Sequence, residues 1–218
     1  MLHLIEPDVR YHTSYLAALE ELAAEGNSHY LDLVLAPEPG FPGVCYNEET
    51  LASPETFAEF CAYTRALADP DSPRPASWVT GTYLWMVDDD QVVGRISLRH
   101  ALTPWLREVG GHIGYAVRPS ARRRGHATRA LGLMLPIAAE RGIDPVLVTC
   151  DETNDASRKV IERSMAAGSV RTRVRPAARQ PASRARSGIA VRKRTSPHVT
   201  TRASTSRARG AAALCSTP

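Results

Sequence analysis

The residues best suited to chemistry in this 218-residue chain run from Arg122 through Arg123, Arg124, Gly125, His126 and Ala127 to Thr128. Three successive cations stand in front of a glycine, and a helical pattern follows. Backbone N–H groups at the start of a helix have no intrahelical acceptor and sit at the positive end of its dipole. They form a ready site for an anion. Glycine at 125 and alanine at 127 leave little bulk between those amides and a ligand. The arginines add groups that pair with phosphate oxygens. Pyrophosphate capture is the chemistry implied; a solvated cationic face or a nucleic-acid patch is the plainer alternative.

The elements that must position this loop are legible on both sides. Before it, Ile113, Tyr115 and Val117 alternate with smaller residues, and Pro119 ends the run because it cannot donate to a ladder. After it, Ala127, Ala130, Leu131, Met134 and Ala138 make one apolar stripe of a helix that Gly142 closes. The dinucleotide fingerprint Gly-x-Gly-x-x-Gly is absent, and so is a Gly-Lys-Ser/Thr phosphate loop.

Arg-x-x-Gly-x-Ala after a strand of the form Gly-Tyr-x-Val-x-Pro resembles the acetyl-CoA pyrophosphate loop of the GNAT acetyltransferase superfamily. The stretch GGHIGYAVRPSARRRGHA is especially similar to a bacterial subgroup of acetyltransferases with unassigned acceptors. The resemblance implies that the pantetheine arm lies in a wedge between the strand ending at Val117 and the one ending at Cys150. It further implies pairing of that arm with the backbone at Ala116 and Val117. A second segment, Asn154 to Glu162, resembles the family's other cofactor stretch, with Asn154 orienting the arm or the helix start and Ser157 facing CoA. Read from the residues alone, Asn154 is equally an N-cap.

Acetyl transfer to an amine requires loss of a proton from an ammonium whose pKa lies near ~10, so a base or a water chain is expected. Glu108 and His112, at the start of the central strand, are the candidates, with His100 ending the neighbouring strand. The same two residues read as a solvated carboxylate and a satisfied sheet-edge histidine. The N–H of Val117 is the expected oxyanion donor, by the resemblance and by the logic of preorganised amides. Many relatives carry a tyrosine four residues after the position of Ser157 as acid for the thiolate. Ile161 stands there, which excludes a tyrosine acid at that place. Cys150 reads as a buried strand residue rather than a nucleophile, since no base is spaced to activate it.

The remaining elements read as α/β with a mixed sheet. A strand in 2–9 precedes a helix over 12–24, and residues 37–47 form a Pro/Gly loop. Ser53 and Pro54 open a second helix, and a strand pair (81–87 and 91–100) is joined by a three-residue hairpin loop at Asp88–Asp90. Residues 145–150 are a continuous apolar run, as in a strand buried on both faces. A helix begins at Asn154 or Asp155. This order also resembles the GNAT core.

Residues 164–218 contain 12 of the 27 Lys and Arg, no aromatic and none of the 23 acids, so the preceding body, with 15 bases against 23 acids, has a net charge of −8. Such a segment lacks the apolar surface to fold. The expected organisation is therefore a GNAT-like core over 1–163, truncated before the family's terminal hairpin, and a disordered basic tail over 164–218. Without that hairpin the strand ending at Cys150 is expected to keep an unpaired edge. Met165-Ala166 read in the neighbouring frame give Asn, Asp, His or Tyr followed by a forced glycine. That frame accommodates the family's Asn-Gly-Gly-x-apolar pattern, and a change of reading frame near Ser164 is the expectation that follows.

The opening MLHLIEPDVR lacks the basic and apolar regions of a signal peptide, and no run is long enough for a membrane span. The four cysteines show no Cys-x-x-Cys spacing, which argues against structural zinc and suits a reducing cytoplasm. The expected partners are acetyl-CoA and an amine acceptor, with no membrane and no specific nucleic acid; a homodimer is compatible with this reading. The competing function is nucleic-acid binding through the tail, densest at Arg192–Arg194.

Overall fold

The computed structural model describes residues 1–165 and 170–175. Its elements are β1 (His3–Ile5), α1 (His12–Ala24), β2 (Leu33–Leu35), β3 (Val44–Tyr46), α2 (Glu48–Leu51), α3 (Pro54–Ala66), β4 (Gly81–Asp88) and β5 (Gln91–Arg99). They continue with α4 (Pro104–Glu108), β6 (Ile113–Val117), α5 (His126–Glu140), β7 (Val146–Asp151), α6 (Asp155–Met165) and β8 (Val170–Arg175). Strands β1, β4, β5 and β6 form an antiparallel sheet in that order, and β7 pairs with β8 in parallel. The result is a mixed α/β fold with flanking helices.

Alternation along β4 and β5 sends apolar side chains to both faces. On one face Leu84, Met86, Ile96 and Leu98 pack with Leu131, Met134 and Ala138 of α5 and Ile161 of α6. On the other, Trp85 packs with Tyr15, Leu19 and Leu22 of α1 and Phe57 and Phe60 of α3. The Tyr15 and Trp85 rings lie 4.6 Å apart, and the buried Tyr15 hydroxyl donates to the Leu31 carbonyl at 2.6 Å. Two caps that the sequence announces are in place: the Ser53 hydroxyl accepts from Thr56 N–H at 3.3 Å, and Gly142 at φ +72° closes α5.

Several expectations are corrected. Val44–Tyr46, placed in the Pro/Gly loop, is a strand paired with Leu33–Leu35. The hairpin between β4 and β5 has a two-residue loop, because Asp88 pairs with Gln91. Asp89 and Asp90 both sit in the left-handed region, at φ +46° and +58°, as a type I′ turn requires. Strand β7 is buried on one face only, through Val146, Val148 and Cys150. Its edge is not bare: β8 pairs with it from Val146 to Asp151. Val170, Thr172 and Val174 alternate with Arg171, Arg173 and Arg175, a strand signal that the arginine content obscured. Helix α6 also runs two residues past the expected boundary at Arg163. The disordered tail and the frame change concern residues 166–169 and 176–218, which lie outside the described ones.

Candidate functional site

Strand β6 has β5 on one side and a gap on the other. At its start it is pinned to β7: His112 N–H donates to Leu147 O at 2.7 Å, Leu147 N–H donates to His112 Nδ1 at 2.9 Å, and Gly110 N–H donates to Thr149 Oγ1 at 2.8 Å. Gly111 makes this approach possible. It sits at φ +59°, and a Cβ there would lie 2.4 Å from the Leu147 carbonyl oxygen. Beyond this apex no ladder joins β6 to β7, and the two strands belong to different sheets.

The ladder between β5 and β6 decides which backbone groups face the gap. Arg99 N–H donates to His112 O at 2.7 Å and Arg118 N–H to Val93 O at 2.9 Å, so both are hydrogen-bonded pairs. Parity then turns Gly114 and Ala116 into the ladder and aims Tyr115 and Val117 the other way. The Val117 amide, expected as an oxyanion donor, therefore faces the gap, whereas the Ala116 amide is spent on β5.

A cavity of about 690 Å³ opens there. Its walls include Ala116, Val117, Arg122, Arg123, Gly125, His126, Ala127 and Thr128 from β6 and the start of α5, with Asn154 and Ser157 from α6. Every residue expected to bind cofactor lines it except Arg124, whose side chain is exposed. Gly125 is the N-cap of α5 at φ +83°, with nothing within 4 Å of the place a Cβ would occupy. From Arg123 to Thr128 the backbone N–H groups find no acceptor among the described residues. The Asn154 carbonyl oxygen Oδ1 accepts from Ser157 N–H at 3.0 Å, so Asn154 is the cap of α6 as well as a wall of the cavity.

Helix α1 braces the loop. Glu21 accepts from Arg118 Nε at 3.0 Å and from the Ser120 amide and hydroxyl at 2.9 Å each. The Arg118 guanidinium, with Ser120 second, holds the Glu21 carboxyl down at about 2. One turn on, Glu25 takes Arg122 Nη1 at 3.0 Å and Nη2 at 2.7 Å, while Arg122 Nε donates to the Val117 carbonyl at 3.1 Å. Arg122 thus shapes the loop as well as lining it. Sequence reasoning missed this brace, and also Tyr115, Lys159 and Arg163 in the cavity wall. Spacing could have found the last two, since 159 and 163 share a helical face with 156.

The expected bases lie elsewhere. Glu108 is exposed and paired with Arg173 of β8. The Nδ1 lone pair of His112 is taken by the Leu147 amide. Burial first, then Arg107 and Arg99, lowers its pKa, so the ring is neutral at physiological pH with its proton on Nε2. Neither residue lines this cavity or the smaller one of about 270 Å³ beside it. The two cavities share Tyr30, Tyr115, Asn154 and Ser157. The Tyr115 side chain crosses the gap to within 3.5 Å of the Ser157 carbonyl oxygen, and burial raises its pKa. His100 bonds Thr82 at 2.8 Å, away from both.

The sequence model of the acetyltransferase (GNAT) domain matches residues 44–165, which include β6, the loop before α5, α5, β7 and α6 but not the bracing helix α1. The chain belongs to the GNAT acetyltransferase family. It is a GNAT-type acyltransferase with acetyl-CoA as co-substrate. No curated protein matches the chain. Among solved structures it is similar to the microcin C7 self-immunity acetyltransferase MccE in complex with acetyl-CoA and AMP, at 11% identity over 74% of this chain and 76% of that one, with a TM-score of 0.46. It is also similar to Mycobacterium smegmatis RimJ in complex with CoA-disulfide, at 19% identity over 74% and 68%, TM-score 0.44. A GNAT-family acetyltransferase from Streptococcus pneumoniae matches at 14% identity over 75% and 83%, TM-score 0.43. Nothing in these matches supports the nucleic-acid alternative. No helix among the described residues is long and apolar enough to cross a membrane.

Proposed function

We propose that this chain transfers an acetyl group from acetyl-CoA to an amine of a small molecule or protein. The observation that carries the reading is the row of amides from Arg123 to Thr128, without acceptors among the described residues, at the mouth of the larger cavity beside Lys159 and Arg163. Those amides, the dipole of α5 and the nearby cations suit a pyrophosphate, and the gap beyond them suits an extended amide-bearing arm. When bound, acetyl-CoA supplies the activated acyl group; the chain supplies position and charge. Val117 N–H faces the gap and is free to donate to a carbonyl oxygen that gains negative charge. The Tyr115 hydroxyl enters the same gap near Ser157, one turn before Ile161. It offers from β6 the proton donor that position 161 lacks.

The test is calorimetry on the full chain. Acetyl-CoA binding should weaken roughly 10- to 100-fold in Gly125→Val, where a branched side chain at positive φ blocks approach to the amides. Unchanged affinity would remove the loop from the site. For Tyr115→Phe we expect acetyl-CoA affinity to hold while kcat falls by about 100-fold, the lower end of a general acid's usual contribution. A kcat equal to that of the unaltered chain leaves Tyr115 without a chemical role.

A further inference from the structure

The smaller cavity has a charge pattern that the cofactor does not explain. It is lined by Arg95, Ser97 and Arg99 of β5, with Gly114 and Tyr115 of β6 and Asp151 at the end of β7. Residues 95, 97 and 99 alternate with Ile96 and Leu98, which are buried against α5, so they stand together on the opposite face of the sheet. Gly114 lies directly against them: the place a Cβ would occupy there is 3.6 Å from both terminal nitrogens of Arg99. Arg99 Nη1 donates to the carbonyls of Gly110 and Gly111 at 3.1 Å each, which fixes its guanidinium at the apex of the gap. Its Nη2 and Nε have no acceptor among the described residues, and neither does the guanidinium of the half-buried Arg95.

The guanidinium groups of Arg95 and Arg99, both half-buried, line one concave site, and no carboxylate bonds either of them among the described residues. Desolvated charge without a partner is unfavourable, and bringing an anion between two such forks relieves both. Asp151 is the one carboxylate among the lining residues, so the lining carries one more cation than anion. The cavity shares Tyr115, Asn154 and Ser157 with the larger one, so the two adjoin, and an acceptor held in the smaller would lie beside a cofactor in the larger. Its volume of about 270 Å³ suits a small molecule.

Resting on the acetyl-transfer reading above, we infer that the acceptor is a small amine that also carries a carboxylate or phosphate, and that Arg95 and Arg99 select it by holding that anionic group. Arg95 is the adjustable member, since Arg99 is already committed in part to the apex.

The experiment uses the full chain and matched acceptors: α-amino acids against their carboxamides, and phosphoethanolamine against ethanolamine. Transfer is measured as kcat and KM, and binding of acetate and inorganic phosphate is measured by calorimetry with excess acetyl-CoA filling the larger cavity. We expect the anionic member of at least one pair to be preferred by about tenfold or more in kcat/KM, and the matching inorganic anion to bind. The carboxylate and phosphate arms tell the two apart. In Arg95→Gln the preference should fall towards unity through KM, and Arg95→Lys should restore part of it, while acetyl-CoA affinity stays within about twofold, a factor worth well under one RT-scaled decade. Neutral members serving as well as anionic ones overturns the inference, as does a failure of every anion to bind or a preference for a neutral peptide amine. Acetyl-CoA failing to bind at all is a different failure, that of acetyl transfer itself.

Discussion

The two ends of the gap beside β6 are built on opposite rules. At the apex, the polar groups that meet are satisfied by one another: Leu147 N–H by His112, Gly110 N–H by Thr149, and the carbonyls of Gly110 and Gly111 by Arg99. At the mouth, the amides from Arg123 to Thr128 have no acceptors among the described residues, and their loop is held in shape from outside by Glu21 and Glu25. A closed end can be stable on its own terms. An open end needs bracing, because it makes too few bonds of its own to fix its shape.

The largest effect that separates the two ends belongs to Gly111. Valine there combines positive φ with a Cβ 2.4 Å from the Leu147 carbonyl oxygen, so we expect a loss of about 3 kcal/mol or more and a Tm lower by roughly 6–12 °C. Gly125→Val at the mouth has open space around it and should cost less stability while harming affinity more. Equal melting temperatures for the two variants would erase the distinction between the ends.

His112 sharpens the comparison next. If it is a strut, His112→Ala strands the Leu147 amide and costs about 1–3 kcal/mol, whereas His112→Gln keeps an acceptor and retains most activity. Loss of activity in a stably folded glutamine variant would return His112 to the role of base.

The smallest effect is at the brace. Glu21 has its folded pKa depressed to about 2 from 4.5, so its contribution is complete above pH 4.5 and is lost as pH falls from 4.5 towards 2. With the carboxylate 29% exposed and screened, we expect ~1–2 kcal/mol at stake. The stability gap between the unaltered chain and Glu21→Gln should therefore be flat near neutrality and shrink below pH 4.5. A gap that stays constant down to pH 3 would show that the carboxylate's charge does not hold the loop.

How much of this was legible in the sequence follows from the same contrast. The mouth is local: Arg122 to Thr128 and the strand and helix beside it declare themselves by alternation, helical spacing and one glycine, and nearly all of those residues do line one cavity. The apex is not. That His112 accepts from an amide 35 residues away, or that Glu108 meets Arg173, cannot be read from periodicity. The brace was hidden for the same reason, since Glu21 and Glu25 are ordinary polar positions of an amphipathic helix until their partners are known. The β8 strand was different, for its alternation was present and its arginines drew the eye instead. The left-handed pair Asp89–Asp90 likewise reads as a longer loop until the pairing of Asp88 with Gln91 is seen.

The brace also sets when the site can exist. Glu21 and Arg118 are 97 residues apart in the chain, against 35 for Leu147 and His112 at the apex. Loop-closure entropy grows only with the logarithm of length, so the longer closure costs roughly 0.9 kcal/mol more than the shorter. Sequence distance alone is thus a minor obstacle to assembly, but it fixes an order of events. Synthesis delivers α1 long before the segment it steadies, and the loop from Arg122 to Thr128 takes its shape only once the first part of the chain has met the middle. A peptide cut to residues 111–142 would keep the whole pattern that identifies the loop and lose the two carboxylates that hold it open.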